Sequence, residues 1–239
     1  MTRQMLVCIL LLLLFSPKGW AQDTVLNKYG LWVIDHPTTL MKTIVDQPQK
    51  QLVALKNKIP NVVFELRYAA ENNFLHQAVY PTSAVAYLRK IAADSLFEVQ
   101  NDLQQLEMGL KIFDAYRPYH VTEKMWELVP DSRYAADPKK GSGHNRGIAV
   151  DCSIILLSSK LELNMGTGFD NFTDSAHHSF TQLPAAVLQN RNLLRTIMEK
   201  HGFIALETEW WHYYLPMASK YELMDLSFSQ IKKMNRKIR

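Results

Sequence analysis

The sequence has 239 residues but only two cysteines, Cys8 and Cys152. Cys8 sits in an N-terminal apolar run expected to be removed, so Cys152 stands alone and an internal disulfide is excluded. The fold must therefore rest on its hydrophobic core, with a metal as the other available support. Beyond that run, no segment offers the ~20 consecutive apolar residues that a membrane-spanning helix needs. Charge of one sign is scarce too. Lys and Arg number 27 against 23 Asp and Glu, a net +4, and Arg3 and Lys18 of the N-terminal segment carry two of those charges. A near-neutral body lacks the concentrated basic face that phosphate backbones require, so no nucleic-acid partner is expected. Internal repeats and low-complexity tracts are absent as well.

What is present begins with Arg3, the apolar run Met5 to Phe15, and the small residues Gly19 and Ala21. That order reads as a secretory signal over residues 1–21, with export to a periplasmic or extracellular setting and no membrane span after its removal. Residues 22–51, interrupted by Pro37 and Pro48, read as an extension laid over the body. Residues 52–218 form the body, and residues 219–239 a basic tail with Lys232, Lys233, Arg236, Lys237 and Arg239. Such a tail is expected to be solvated, the alternative being contact with an anionic surface.

Within the body, apolar residues at three- and four-residue steps predict a helix from Pro81 to Glu107 closed by Gly109. A strand is expected over Leu110 to Ala115. Another is expected over Ile148 to Leu156, with Ile148, Val150, Cys152 and Ile154 on its core face and Ala149, Asp151 and Ser153 on the other. Pro184 to His201 reads as a helix closed by Gly202, and Phe203 to Tyr214 as a strand pair. Helices and strands do not alternate strictly, so the expectation is a single α+β domain.

Three segments carry chemistry. In Ser142-Gly143-His144-Asn145-Arg146-Gly147, a histidine precedes a glycine turn, after which a strand delivers Asp151. Imidazole nitrogen with carboxylate oxygen suits zinc better than calcium or magnesium, although a His and an Asp seven apart often mean nothing. In Glu209-Trp210-Trp211-His212, His212 would complete a two-histidine, one-carboxylate set with one tetrahedral corner open, leaving Glu209 as a general base. Residues three apart on an ideal strand face opposite ways, so this reading needs a bulge or turn there. The competing reading is an aromatic core strand with Glu209 paired to a surface lysine. In Asp114-Ala115-Tyr116-Arg117-Pro118, an arginine fixed just past a strand end could face an oxyanion, or simply pair with Asp114.

Taken together, and with Leu66-Arg67-Tyr68-Ala69, Asn72-Asn73-Phe74, Met165-Gly166-Thr167 and Phe169-Asp170, these segments strongly resemble the zinc-dependent D-alanyl-D-alanine dipeptidases (VanX-like). The resemblance runs over roughly residues 52–216, in order. It implies one Zn2+ per chain on His144, Asp151 and His212, Glu209 as general base, and Arg117 as the transition-state arginine. It also places Ser142 and Asp170 against a small D-amino-acid dipeptide, Asp170 toward its ammonium, and Tyr68 near the pocket. The implied fold is an α+β domain with a central antiparallel sheet flanked by helices, shared with zinc D,D-carboxypeptidases and the Hedgehog signalling domain. Leu75-His76 departs from the family's usual Thr-Gly, and Cys152 from its usual aliphatic residue; Cys152 is read as a small buried hydrophobe. His177 and His178 read as part of a structural or lid loop. The rival functions are a D,D- or L,D-carboxypeptidase acting on cell-wall stem peptides, and a zinc-binding module without catalysis.

Overall fold

The structure is a computed structural model that describes residues 25–238. The expected signal segment 1–21 and Arg239 lie outside the described residues. At the N-terminal end, β1 (Val25–Leu26) and β2 (Trp32–Ile34) pair antiparallel. Asn27 shapes the turn between them, its Oδ1 accepting from the Tyr29 and Leu31 N–H groups at 2.9 and 3.0 Å. Helix α1 (Pro37–Asp46) opens on proline and buries Leu40 and Ile44, one turn apart.

Strand β3 (Leu52–Ala54) follows, then α2 (Leu55–Lys58) and β4 (Val63–Phe64). Strand β5 (Tyr87–Arg89) pairs antiparallel with β3 and leads directly into α3 (Lys90–Gln104). The helix therefore starts at Lys90, not near Pro81. Tyr87, Leu88 and Arg89 are all buried against a partner strand more than thirty residues away, and that pairing overrides the helical spacing of Val85 and Leu88. The helix also ends before Gly109. Glu107, at φ 58°, makes the reversal, while Gly109 lies inside β6 (Met108–Asp114). A Cβ there would come within 2.9 Å of Leu157 and 3.1 Å of Gln100, so close approach is what this glycine provides.

Then come α4 (Tyr119–Leu128), β7 (Ala149–Leu156), α5 (Ala185–Lys200), β8 (Ile204–Ala205) and β9 (His212–Tyr214). The central sheet runs β4-β6-β7-β9-β8. Its pairs are antiparallel except at one edge, where β4 runs parallel to β6. Leu96, Val99 and Leu103 of α3 and Leu194, Ile197 and Met198 of α5 join Leu110, Ile112, Val150, Cys152 and Ile154 of the sheet in the main core. Cys152 is fully buried there, as its place on the core face of β7 requires.

The last elements are β10 (Leu223–Met224), parallel to β2, and α6 (Phe228–Ile238). Residues 228–238 of the expected basic tail form an amphipathic helix. Phe228, Ile231 and Met234 are buried with Ile34, Leu40 and Ile44 of the N-terminal segment, while Lys232, Lys233, Arg236 and Lys237 face solvent. The two ends of the described chain form one layer together.

Candidate active site

Sheet register places two of the key side chains. The β6–β7 ladder shifts between Ile112 and Asp114, leaving Phe113 as the extra residue and setting Asp114 opposite Asp151. Bulges of this kind re-aim side chains beside active sites. On the other side of β7, Asp151 lies opposite His212, the first residue of β9. His212 enters the strand from a turn in which its N–H reaches the Glu209 carbonyl at 3.2 Å. That turn puts Glu209 and His212 on one side of the sheet, as the sequence reading required.

His144 sits in the turn before β7. Gly147, at φ 69°, accepts a conformation that side-chain-bearing residues avoid, and its N–H donates to the His144 carbonyl at 3.0 Å. A Cβ on Gly143 would come within 2.9 Å of the Ala149 Cβ, so the turn lies flat on the strand it feeds. Asn145 locks the turn from inside. It is fully buried, accepts from the Ser142 N–H at 3.0 Å, and donates to the Arg117 carbonyl at 3.0 Å and to Thr122 Oγ1 at 2.9 Å. Met224 N–H adds a bond to the Asn145 carbonyl at 3.0 Å.

The turn has a second clamp. Arg89 is fully buried and donates to the Arg146, Lys50 and Glu222 carbonyls and to the Glu222 carboxylate. Burial in this packed corner pulls its pKa down to about 10, against the opposing pull of Glu222. Strand β10 and its flanks thus hold the His144 turn in place.

Among the described residues, His144, Asp151 and His212 are the one group of His, Cys, Asp and Glu side chains placed to share a metal ion. His212 Nδ1 lies 2.9 Å from Asp151 Oδ1, His144 Nε2 lies 3.4 Å from Asp151 Oδ2, and the two ring nitrogens are 3.2 Å apart. Ligand arms of roughly 2.0–2.1 Å at the tetrahedral angle separate donors by about 3.3 Å, so the set fits zinc. Its chemistry agrees. His144 Nδ1 faces the Ala115 carbonyl at 2.7 Å, which fixes the proton there and turns the Nε2 lone pair toward its neighbours. Two imidazole nitrogens and a buried carboxylate converge here as a donor set that could hold one cation. Asp151 is held below the usual carboxylate range, the two histidines outweighing the burial that would raise it.

Around this centre, the other residues singled out in the sequence line the same cavity of about 280 Å³: Tyr68, Arg117, Ser142, Asp170 and Glu209. Glu209 stays outside the donor set, with Oε2 3.8 Å from His212 Nδ1. Burial pushes its carboxyl up to about 7, with Asp151 and Asp170 adding to the rise and His212 opposing it. Arg117 pairs with Asp114 and also borders the cavity. Its Nε and Nη2 fork onto Asp114 Oδ2 at 3.1 and 2.8 Å. Asp114 also accepts from the Tyr80 hydroxyl at 2.8 Å. Burial opposes the arginine's charge, yet Asp114 keeps it protonated at any working pH.

Asp170 adopts a left-handed backbone at φ 60°. Its carboxylate accepts from the Tyr68 hydroxyl at 3.1 Å and the Phe74 N–H at 3.2 Å. Burial, then the Asp151 charge, pushes it up to about 7. His178 lies away from this cavity, and burial lowers its pKa to about 4.

Sequence reasoning missed Asn145, Tyr80 and the Arg89–Glu222 clamp, along with Tyr134, Phe172 and Trp211 of the cavity wall. Only Asn145 left a local signal, an Asx residue inside a glycine-flanked turn beside a candidate ligand.

A two-histidine, one-carboxylate set placed to share a metal ion, a further buried carboxylate beside it and a buried arginine border one cavity. Residues 48–233 match the family Peptidase_M15, described as D-ala-D-ala dipeptidase. The chain is 36% identical to the D-alanyl-D-alanine dipeptidase of Escherichia coli (strain K12), over 75% of this chain and 92% of that one. It is 29% identical to the D-alanyl-D-alanine dipeptidase of Enterococcus faecalis (strain ATCC 700802 / V583), over 67% and 89%. A solved vancomycin-resistance D,D-pentapeptidase, VanY, in complex with Zn(II), is 14% identical over 63% of this chain and 86% of that one, at a TM-score of 0.38. The chain belongs to the D-Ala-D-Ala dipeptidase family of peptidases.

Proposed function

We propose that this protein hydrolyses D-Ala-D-Ala to two molecules of D-alanine, using one zinc ion held by His144, Asp151 and His212. The observation that carries the reading is that the three donors, Glu209, Arg117 and Asp170 all border one cavity of about 280 Å³. That volume lies just below the usual range for small-molecule sites, roughly 300–1,000 Å³, and favours a short substrate.

When bound, zinc supplies Lewis acidity, acidifying water toward a pKa of about 7 and polarising a carbonyl. The chain's own residues do the rest. The Asp170 carboxylate, anchored by Tyr68 and the Phe74 N–H, pairs with the substrate ammonium. Ser142, at the lip of the His144 turn, contacts the dipeptide. Glu209 takes a proton from water as the water oxygen bonds to the peptide carbon, and Arg117 faces the oxygen that gains negative charge. The carbon–nitrogen bond then breaks, and Glu209 returns the proton to the departing amine.

We place this reaction outside the cytoplasm. Arg3, the apolar run Met5 to Phe15 and Ala21 support removal of residues 1–21 during export.

The test is to offer the zinc-loaded protein D-Ala-D-Ala and, separately, a stem pentapeptide ending in D-Ala-D-Ala. Release of D-alanine from the dipeptide, with the pentapeptide left intact, is the expected result. Preferred trimming of the pentapeptide would make it a carboxypeptidase, and no release from either would leave a zinc-binding module.

A further inference from the structure

On the dipeptidase reading, Asp170 marks the amine end of the cavity, and aromatic rings gather there. The Phe74 N–H holds Asp170, and the Phe74 ring meets the Phe172 ring edge-on at 5.4 Å. Phe172 in turn packs at 4.8 Å against Tyr134, which arrives on a different stretch of chain, the loop after α4. Residues 132–136 of that loop all border the cavity. The loop is pinned on both sides of Tyr134. Ala135 is buried and its N–H reaches the Asp131 carbonyl at 2.9 Å, while the Arg133 guanidinium lies 5.1 Å over the Tyr134 ring and bonds to the Asp131 carboxylate.

We propose that the Tyr134–Phe172 pair is a specificity wall, closing the cavity just past the amine of the substrate and so excluding peptides extended at that end. The proposal rests on the dipeptidase reading and deepens it. Asp170 alone rewards a free ammonium, but its carboxylate could equally accept an amide N–H from a longer chain. Exclusion of that chain needs a steric element. The two rings, bridging from the loop to the Asp170 segment, are placed to supply it. Both rings border the cavity and are only half-buried.

The probes are D-Ala-D-Ala and N-acetyl-D-Ala-D-Ala, compared by kcat/KM in the zinc-loaded protein and in Tyr134→Ala. Acetylation removes the ammonium in both proteins alike, so a change in the ratio of the two rates between proteins reports the wall and not Asp170. In Tyr134→Ala the ratio should move at least tenfold toward the acetylated substrate, and Phe172→Ala should shift it the same way. Tyr134→Phe keeps the ring and should keep the wild-type ratio. A ratio unmoved in both alanine variants, with zinc content and circular dichroism as in the wild type, would overturn the wall. Failure of the wild type to cleave D-Ala-D-Ala would instead remove the reading beneath it. If Tyr134→Ala does not fold, Phe172→Ala decides the matter: a ratio moved toward the acetylated substrate supports the wall, and an unmoved ratio overturns it.

Discussion

Asp151 lies directly across the β7–β9 ladder from His212, and its Oδ1 is 2.9 Å from that histidine's Nδ1. Strand register therefore places two of the three residues of the candidate metal site side by side. A slip of one residue would send either side chain to the opposite face of the sheet. The third donor, His144, depends on a turn held by Asn145 and Arg89. Rigid strands set the base of the site, and a clamped loop completes it.

Replacing His212 by alanine takes away one donor and should strip the metal. Zinc measured by elemental analysis is expected to fall from about one ion per chain to a small fraction of that, with far-ultraviolet circular dichroism little changed. Retention of stoichiometric zinc would show that the donor set is wrong.

Glu209→Gln should leave the zinc in place and cut kcat by a factor on the order of 10² or more, because it removes the proton acceptor and keeps the shape. Single-turnover hydrolysis of D-Ala-D-Ala at matched zinc content measures it. Near-normal turnover would assign the base to another residue.

Arg117→Ala carries two consequences. Loss of a positioned cation opposite the developing charge should lower kcat about 10²–10³-fold. It also leaves Asp114 fully buried with Tyr80 as its remaining hydrogen-bond donor. Breaking one side of a buried pair costs about 3–5 kcal/mol, which urea unfolding would register. Arg117→Lys keeps the charge and loses the fork, so it should recover stability better than rate.

The pH profile follows from two raised carboxyls. Asp170 and Glu209 both sit at about 7 before a cation is added. Each must be ionised, one to hold an ammonium and the other to take a proton, so kcat/KM falls as pH drops through their pKa values. A divalent ion favours the ionised forms, so the acid limb belongs at or below about pH 7. With both groups titrating, the limb should be steeper than one proton per pH unit, and Asp170→Asn should reduce it to one. An unchanged slope in that variant would remove Asp170 from the binding step.

The site's residues sit in short contiguous motifs, each of which alone left a bland reading open; only their joint order carried the resemblance that assigned Ser142, Asp170 and Tyr68 to the site. The eight residues expected at the site, Tyr68, Arg117, Ser142, His144, Asp151, Asp170, Glu209 and His212, border one cavity. The elements that hold them were not legible to the same degree. Arg89 meets Glu222 across more than a hundred residues, and no local pattern announces such a pairing. The start of α3 was misplaced for the same reason, since β5 exists only through its partner β3. The tail was different. Phe228, Ile231 and Met234 recur at three-residue steps that a reading of its charges alone passes over. Tyr134 and Phe172 gave no signal, because an aromatic in a loop reads the same whether it borders a cavity or merely fills space.

The proposed chemistry needs one ion held by His144, Asp151 and His212, with the Glu209 carboxylate beside it and unligated. Anomalous diffraction at the zinc absorption edge, from crystals of the zinc-loaded protein, tests that most directly. The prediction is a single strong peak within about 2.0–2.2 Å of His144 Nε2, His212 Nδ1 and an Asp151 oxygen. A peak elsewhere, or one bound by Glu209 in place of any of the three, would contradict it.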